Sequence, residues 1–333
     1  MSGRERGSAE GKRSPLAVSI GTLTFQNPIV LAAGTAGYGR ELEGVLDLDR
    51  LGGLVTKAVS VEPRAGAPSP RVAEFEGGMI NAVGLANPGL DSVRRDHLPW
   101  LQQRLARSPG APRALVNVVG NRVEDFVSVV EGLNDVLGGH DGAAREGGVC
   151  GFELNVSCPN VKAGGLEFGA DPGALTQLVR LARAATTRPL FVKLSPALAD
   201  IAATARVAAD AGADGITVVN TLPGLVIDVE QRKPALGFGS GGVSGVGLLP
   251  VGVLATWKVH RATGLPILGL GGVSRATDAL QYLLAGATLV GVGTAAMRDP
   301  RLPERLVADL EAWCRSHRVS SLQELIGQLE WPT

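Results

Sequence analysis

A chain of 333 residues, 45% of them apolar, can bury a sizeable core and is neither disordered nor fibrous. Lys plus Arg equals Asp plus Glu at 32 each, so no overall field favours nucleic acid or an anionic membrane surface, and a small-molecule partner is the default. Three cysteines, Cys150, Cys158 and Cys314, with no C-x-x-C pair, indicate neither a disulfide framework nor a zinc site and suit a reducing cytoplasm.

The opening MSGRERGSAEGKRSP is small and charged without an apolar h-region, and no later stretch reaches about 18 uninterrupted apolar residues. Residues 1–15 therefore read as a disordered leader on a soluble protein. Next, LAVSIGTLTFQNP (16–28) alternates apolar and polar residues around Gly21-Thr22, a hairpin pattern placed to cap the bottom of the domain. From there to about residue 315, β-rich runs alternate with helical-period segments, the signature of βαβ units around a parallel sheet. The candidate strands number eight: PIVLAAG (28–34), GGLVTKAV (52–59), RALVNVVG (113–120), GFELNVSC (151–158), PLFVKLSP (189–196), GITVVNT (215–221), PILGLGGV (266–273) and LVGVGTA (289–295).

Between them, VEDFVSVVEGLNDVL, DPGALTQLVRLARAA, DIAATARVAADAG and RATDALQYLLAGA repeat apolar residues at i, i+3 and i+4. Two units, AADAGADGITVVN and LLAGATLVGVGT, share a helix, Ala-Gly-Ala, strand order, and Gly212 and Gly286 are expected to end their helices in a left-handed conformation. Two insertions interrupt the rhythm. Residues 61–89 carry four prolines, and 221–265 is glycine-rich without helical period. Both follow a strand, so both belong to one rim, where long loops are often functional. Near the end, Ser321 stands three residues before Glu324 in SSLQELIGQL, a capping-box spacing that predicts a short helix. The expected fold is α/β: a (β/α)8 TIM barrel with an N-terminal β-hairpin and long loops at the C-terminal face, residues 16–333 forming a single domain.

Barrels of this kind work at the C-terminal strand ends. Those ends carry Ala33-Gly34, Lys57, Asn117, Asn155 with Cys158, Lys193, Asn220-Thr221, Gly271-Gly272 and Gly293-Thr294. Any one of these is explained by a satisfied polar residue closing a strand; six strands doing so at one level are not. Of four histidines, His97, His260 and His317 fall in or beside helical segments and His140 in a loop, so imidazole chemistry or metal binding is not indicated. The G-x-G-x-x-G at 237–242 neither follows a strand nor opens a helix and reads as a chance match. The glycines of LGLGGVS and VGVGTA stand where barrels hold phosphate on backbone N–H groups, which implies a phosphorylated cofactor.

Around such a cofactor, Lys57 could bind a substrate carboxylate, Lys193 could place positive charge beside an electron-accepting ring, and the asparagines offer donors and acceptors to a flat heterocycle. Cys158 in ELNVSCPN could accept a proton as thiolate, or pack as an inert small residue. A Schiff-base aldolase on Lys193 and a non-enzymatic binder of a phosphorylated ligand remain open on these residues alone.

The ordered stretches TFQNPIVLAAG, VTKAVSVEPRAGAPSPRVAE, GMINAVGLANPG, NVVG, ELNVSCPNV, FVKLSP, VVNT, RKPALGFGSGGVSG, GLGGV and GVGTA resemble the dihydroorotate dehydrogenases across residues 24–328. Cys158 in place of serine, with a polar leader, resembles class 1, and NAVGLANPG with RKPALGFGSGGVSG resembles class 1B. The resemblance implies FMN-dependent oxidation of (S)-dihydroorotate to orotate in pyrimidine biosynthesis. Cys158 would be the base at C5, with hydride passing from C6 to FMN and Lys193 stabilising negative charge on the reduced ring. Substrate contacts carry over to Lys57, Asn81, Ala82, Val83, Gly84, Leu85, Asn155, Asn220 and Thr221. FMN contacts carry over to Ala33, Lys57, Ala58, Asn117, Asn155, Lys193, Val219, Gly245, Gly271, Gly272, Gly293 and Thr294. Ala33 departs from the family, where serine is common. Expected partners are a second copy of the chain in a homodimer and an electron-transfer subunit bearing FAD and a 2Fe-2S cluster, which passes electrons to NAD. A dihydropyrimidine dehydrogenase-type flavin domain, with a similar cysteine loop, is the alternative.

Overall fold

The computed structural model describes residues 14–108, 110, 112–138, 148–157 and 168–332. The leader assigned to 1–15 thus lies almost wholly outside the described residues, as do His140 and Cys158. In chain order, β1 (Val18–Ile20) and β2 (Leu23–Phe25) form a hairpin and β3 (Ile29–Leu31) and β4 (Gly53–Val55) open the barrel. A pair, β5 (Val72–Phe75) and β6 (Gly78–Asn81), leaves it; β7 (Arg113–Val118), β8 (Gly148–Asn155), β9 (Leu190–Leu194) and β10 (Gly215–Val218) continue it. Four short strands make a second excursion, β11 (Leu222–Gly224), β12 (Ile227–Asp228), β13 (Lys233–Pro234) and β14 (Gly241–Gly245), before β15 (Ile267–Leu270) and β16 (Leu289–Val292) close the circle onto β3.

The closed barrel β3-β4-β7-β8-β9-β10-β15-β16 is parallel throughout and contains all eight candidate strands. Every residue of β7, β8 and β9 is buried, the pattern of strands covered on both faces. β8 begins three residues ahead of the predicted stretch, and the strands stop short of their polar tails, which turn into the mouth.

Helices cover the outside. α1 (Leu90–Ser92) runs through a wide π-type stretch, Val93–His97, into α2 (Leu98–Ala106); then come α3 (Val123–Val136), α4 (Pro172–Ala184), α5 (Ile201–Asp210), α6 (Leu249–Thr263), α7 (Ala276–Leu284), α8 (Thr294–Arg298) and α9 (Leu302–His317). In α4, Leu175, Leu178, Val179 and Ala182 form the buried stripe, and each fully buried Leu or Val contributes about 1.5–3 kcal/mol. Asp171 caps that helix by accepting from the N–H groups of Gly173 and Ala174 at 2.8 and 3.0 Å. The two similar units end alike. Ala213 N–H donates to the Ala208 carbonyl and Gly212 N–H to Ala209, while Ala287 donates to Tyr282 and Gly286 to Leu283. Gly212 and Gly286 sit at φ +108° and +112° within these Schellman turns.

The hairpin caps the bottom: Arg113, at the first position of β7, donates to the Thr24 carbonyl at 2.7 Å and lies over the Phe25 ring. Ser321 forms no cap, and residues Leu322–Leu325 make a single 3-10 turn instead of the predicted capped helix. The turn is held by tertiary bonds, from Leu322 N–H to the Pro15 carbonyl and from Ser19 N–H to the Gln323 side chain.

Residues 221–265, glycine-rich and expected to lack a helix, contain α6. Its buried positions are Gly252, Ala255, Thr256 and Val259, so the core stripe is too small and polar to show as a hydrophobic period. A Cβ at Gly252 would fall 2.8 Å from the Leu270 carbonyl oxygen, so close approach to the barrel dictates the small residue. The two insertions are not independent loops either: β11, β14, β6 and β5 form one antiparallel sheet over the mouth, with Ile80, Ala82 and Leu236 as its own small core. Among the described residues, no helix is long and apolar enough to cross a membrane, and no group of three or more His, Cys, Asp or Glu is placed to hold a metal.

Candidate active site

Residues i and i+2 of a strand share a side, which puts Glu153 and Asn155 of β8 on the inner wall of the barrel beside Lys193 of β9. Asn155 is opposite Lys193 in register, and Lys193 is opposite Thr217 of β10. Asn117 of β7 donates its amide Nδ2 to Glu153 Oε1 at 2.6 Å, and the Thr217 hydroxyl donates to Glu153 Oε2 at 2.8 Å. Above this layer, Ser157 Oγ donates to Asn155 Oδ1 at 3.0 Å, and Asn220 Nδ2 donates to Ser157 Oγ at 2.7 Å. Thr221 N–H in turn donates to Asn220 Oδ1. The expected Asn117, Asn155, Lys193, Asn220 and Thr221 thus come together on one wall, linked by residues to which the sequence reading gave no role: Glu153, Ser157 and Thr217. The signal for Glu153 was a charged residue inside a strand otherwise wholly apolar up to Asn155.

The opposite wall is nearly bare backbone. Gly271 and Gly272, just past β15, sit at φ +125° and +74°, and a Cβ on Gly272 would fall 2.5 Å from the Leu249 nitrogen. At Gly293, past β16, an added Cβ would only come into ordinary contact with the Ala32 methyl at 3.8 Å and the Thr35 hydroxyl at 4.0 Å, so the protein itself does not require glycine there. Thr294 Oγ1 donates to Ser244 Oγ at 2.7 Å, tying the end of β16 to the rim sheet beside Gly245. Ala33 lies half-buried just past β3. Val219, buried, donates its N–H to the Leu270 carbonyl and so spans from β10 to β15.

Lys57 follows β4, its N–H bonded to the Gly37 carbonyl at 2.7 Å. Beside it, the Tyr38 hydroxyl donates to the Ala58 carbonyl at 2.9 Å. Burial, then the nearby Glu41 charge, pushes that phenol well above its ordinary range, so it remains a donor. The segment Asn81 to Leu85 approaches over the rim. Asn81 Nδ2 donates to the Gly242 carbonyl, and Gly84 and Leu85 take consecutive left-handed conformations at φ +71° and +56°. Asn87, also without a role in the sequence reading, holds that bend: it donates to the Leu85 carbonyl and Ser60 Oγ and accepts from Gly89 and Ser60 N–H. β6 pairs with β14, placing Asn81 opposite Gly242, and β14 pairs with β11, placing Gly242 opposite Pro223, two residues past Thr221.

Cys158 is the next residue after buried Ser157 but lies outside the described residues. Cys150 is different: it faces away from the mouth wall, donates weakly to the Ala114 carbonyl, and burial pushes its thiol up to about 11. Such a thiol is inert near neutral pH.

Polar side chains on one wall and bare glycine backbone on the other, both at the C-terminal ends of eight parallel strands, define a (β/α)8 barrel with the layout of an enzyme of that fold. The dihydroorotate dehydrogenase family model matches residues 15–313. The catalytic subunit of dihydroorotate dehydrogenase B (NAD(+)) from Geobacter sp. (strain M21) is 42% identical over 319 residues, 96% of this chain and 99% of that one. The subunit of the same name from Desulforudis audaxviator (strain MP104C) is 44% identical over 311 residues, covering 93% and 96%. A crystal structure of DHODH from Eimeria tenella in complex with ferulenol shares the fold at a TM-score of 0.78 and 23% identity, over 96% of this chain and 90% of that one. The chain belongs to the dihydroorotate dehydrogenase family, and within it to the class 1B branch of catalytic subunits, which makes it an oxidoreductase.

Proposed function

We propose that this chain oxidises (S)-dihydroorotate to orotate in the de novo pyrimidine pathway, with FMN in the barrel mouth and NAD as the final acceptor. The observation that carries the reading is the pairing of the amide and ammonium wall, Asn117, Asn155, Lys193 and Asn220, with the bare backbone of Gly271, Gly272 and Gly293. The site fits FMN on its own geometry. The protein tolerates a Cβ at Gly293, so the glycine there suits close approach of a phosphate to its backbone N–H, while buried amides opposite supply the donors and acceptors that a flavin ring needs. Bound FMN supplies the acceptor for the hydride leaving C6 of the substrate.

The rest is work for the chain's own residues. Cys158, as thiolate, takes the proton from C5. Lys57 meets the substrate carboxylate, and Asn155, Asn220, Thr221 and the Asn81 to Leu85 bend hold its pyrimidine edge. Lys193 sets a positive charge beside the ring that gains electrons, and Ala33, Ala58, Val219, Gly245 and Thr294 complete the flavin cradle. The rim sheet covers the mouth and limits water around the proton transfer.

The relatives are named as catalytic subunits, which supports a separate electron-transfer subunit; in our reading that subunit carries FAD and a 2Fe-2S cluster. A homodimer in the cytoplasm, with 16–333 as one FMN-binding domain, belongs to the same reading. The test is a yellow protein whose Cys158→Ala variant retains FMN and binds orotate but oxidises dihydroorotate slower by about 10² to 10⁴, the range for loss of a positioned base. Wild-type-like turnover in that variant would overturn the mechanism, and turnover of dihydrouracil but not dihydroorotate would overturn the substrate.

A further inference from the structure

Glu153 has no role in the proposed reaction, yet its carboxylate sits at the centre of the inner wall. Among the described residues the buried carboxylates are Glu153 and Asp278. Asp278 is occupied at the start of α7, accepting from the N–H groups of Ser274 and Arg275 at 2.9 Å. Glu153 accepts from Asn117 on one side and Thr217 on the other. Strand β9 lies between β8 and β10, so a carboxylate that leaves β8 and reaches Thr217 on β10 crosses in front of β9 at the level of Lys193. Lys193 is 5% exposed, and every ion pair among the described residues is made by an arginine.

We infer that Glu153 is a positioning residue for the flavin, acting through Asn117 and Lys193 without touching either reactant. The inference rests on the reading of this site as an FMN site. Its first consequence is orientation. A carboxylate only accepts, so the Asn117 nitrogen must face it and the Asn117 carbonyl oxygen is turned away, fixed as an acceptor for a ring N–H. The second is charge. Glu153 reaches across β9 at the level of Lys193, so its negative charge partly offsets the ammonium there. The same negative charge opposes electron gain at the ring and so lowers its readiness to be reduced.

Glu153→Gln separates charge from shape. The amide oxygen accepts from Asn117, and the amide nitrogen donates to a Thr217 hydroxyl that has rotated to receive it. The holoenzyme is titrated spectroscopically against a redox dye, and the apoprotein is reconstituted with FMN to read the dissociation constant. Glu153→Gln is expected to melt like the wild type and to bind FMN within about threefold. At the potential that half-reduces the wild type it is expected to favour the reduced flavin by about tenfold, which for a two-electron couple is about 30 mV upward. Thr217→Val, which keeps the charge and the Asn117 bond, is expected to leave the potential unmoved. An unmoved potential in Glu153→Gln, or an equal shift in Thr217→Val, overturns the inference while the FMN reading stands. A wild-type apoprotein that takes up no FMN overturns the reading and the inference together.

Discussion

Replacing Asn87 by alanine tests how the substrate side of the mouth is held. The side chain makes four hydrogen bonds: its Oδ1 accepts from Ser60 N–H at 3.3 Å and Gly89 N–H at 2.9 Å, and its Nδ2 donates to Ser60 Oγ at 2.8 Å and the Leu85 carbonyl at 2.9 Å. Asn87 is buried, so truncation strips partners from groups that water reaches poorly. Each buried group left unpaired costs about 1–3 kcal/mol. The 3.3 Å bond is weak and the Ser60 hydroxyl also donates to the Glu62 carbonyl, so the loss falls mainly on the Gly89 N–H and the Leu85 carbonyl, about 3 kcal/mol together. For 333 residues the unfolding entropy is about 0.7 kcal/mol/K, so melting falls by about 4 °C. Function is affected unevenly. Leu85 sits at φ +56° because Asn87 and Gly84 hold the bend, whereas Asn117, Lys193 and the glycine wall lie elsewhere. Asn87→Ala is therefore expected to raise the KM for dihydroorotate about tenfold with FMN content per chain unchanged, read by steady-state kinetics beside flavin absorbance and a melting curve. An unchanged KM, or a loss of FMN in step with activity, would refute the assignment of Asn87 to the substrate bend.

Gly272→Ala places a Cβ 2.5 Å from the Leu249 nitrogen at φ +74°, so a loss of at least about 2 kcal/mol is expected in a denaturant titration. Gly293→Ala meets nothing within 3.8 Å in the protein, so melting should change little while FMN affinity, measured on reconstituted apoprotein, falls about tenfold. Alkylation of the native protein at pH 8, mapped by peptide mass, should spare Cys150, whose thiol is pushed to about 11, and should inactivate through Cys158 with protection by orotate. Between the ordinary thiol value of 9.0 and about 11 the unfolded chain loses the Cys150 proton and the folded one keeps it, so stability falls across that window by up to about 2–3 kcal/mol. A Cys150→Ala variant should lack that alkaline loss in urea titrations at pH 8 and pH 10.5.

The barrel was legible because each strand is a short apolar run closed by polar residues, and parallel strands buried on both faces leave that trace directly in the chain. The mouth was legible for the same reason: Lys57, Asn117, Asn155, Lys193 and Asn220 interrupt those runs at one level. Three things were hidden. α6 buries Gly252, Ala255 and Thr256, small or polar residues that carry no hydrophobic period. The rim sheet pairs Asn81 with Gly242 across 161 positions, through strands of three to five residues, several of them glycines. Ser321 has the spacing of a cap, but tertiary bonds to Pro15 and Ser19 decide the conformation there. The linking residues Ser157, Thr217 and Asn87 are ordinary polar residues in sequence, and only their shared partners mark them.

The rim sheet has a consequence for how members of such a family can differ. Its four strands come two from the first insertion and two from the second, and the central pairing of β6 with β14 joins one insertion to the other. Swapping residues 61–89 alone for those of a relative would leave β14 facing a foreign edge, with Gly242 no longer opposite Asn81. The two segments therefore form one inherited cassette, and a chimera that exchanges both at once should work where either single exchange fails.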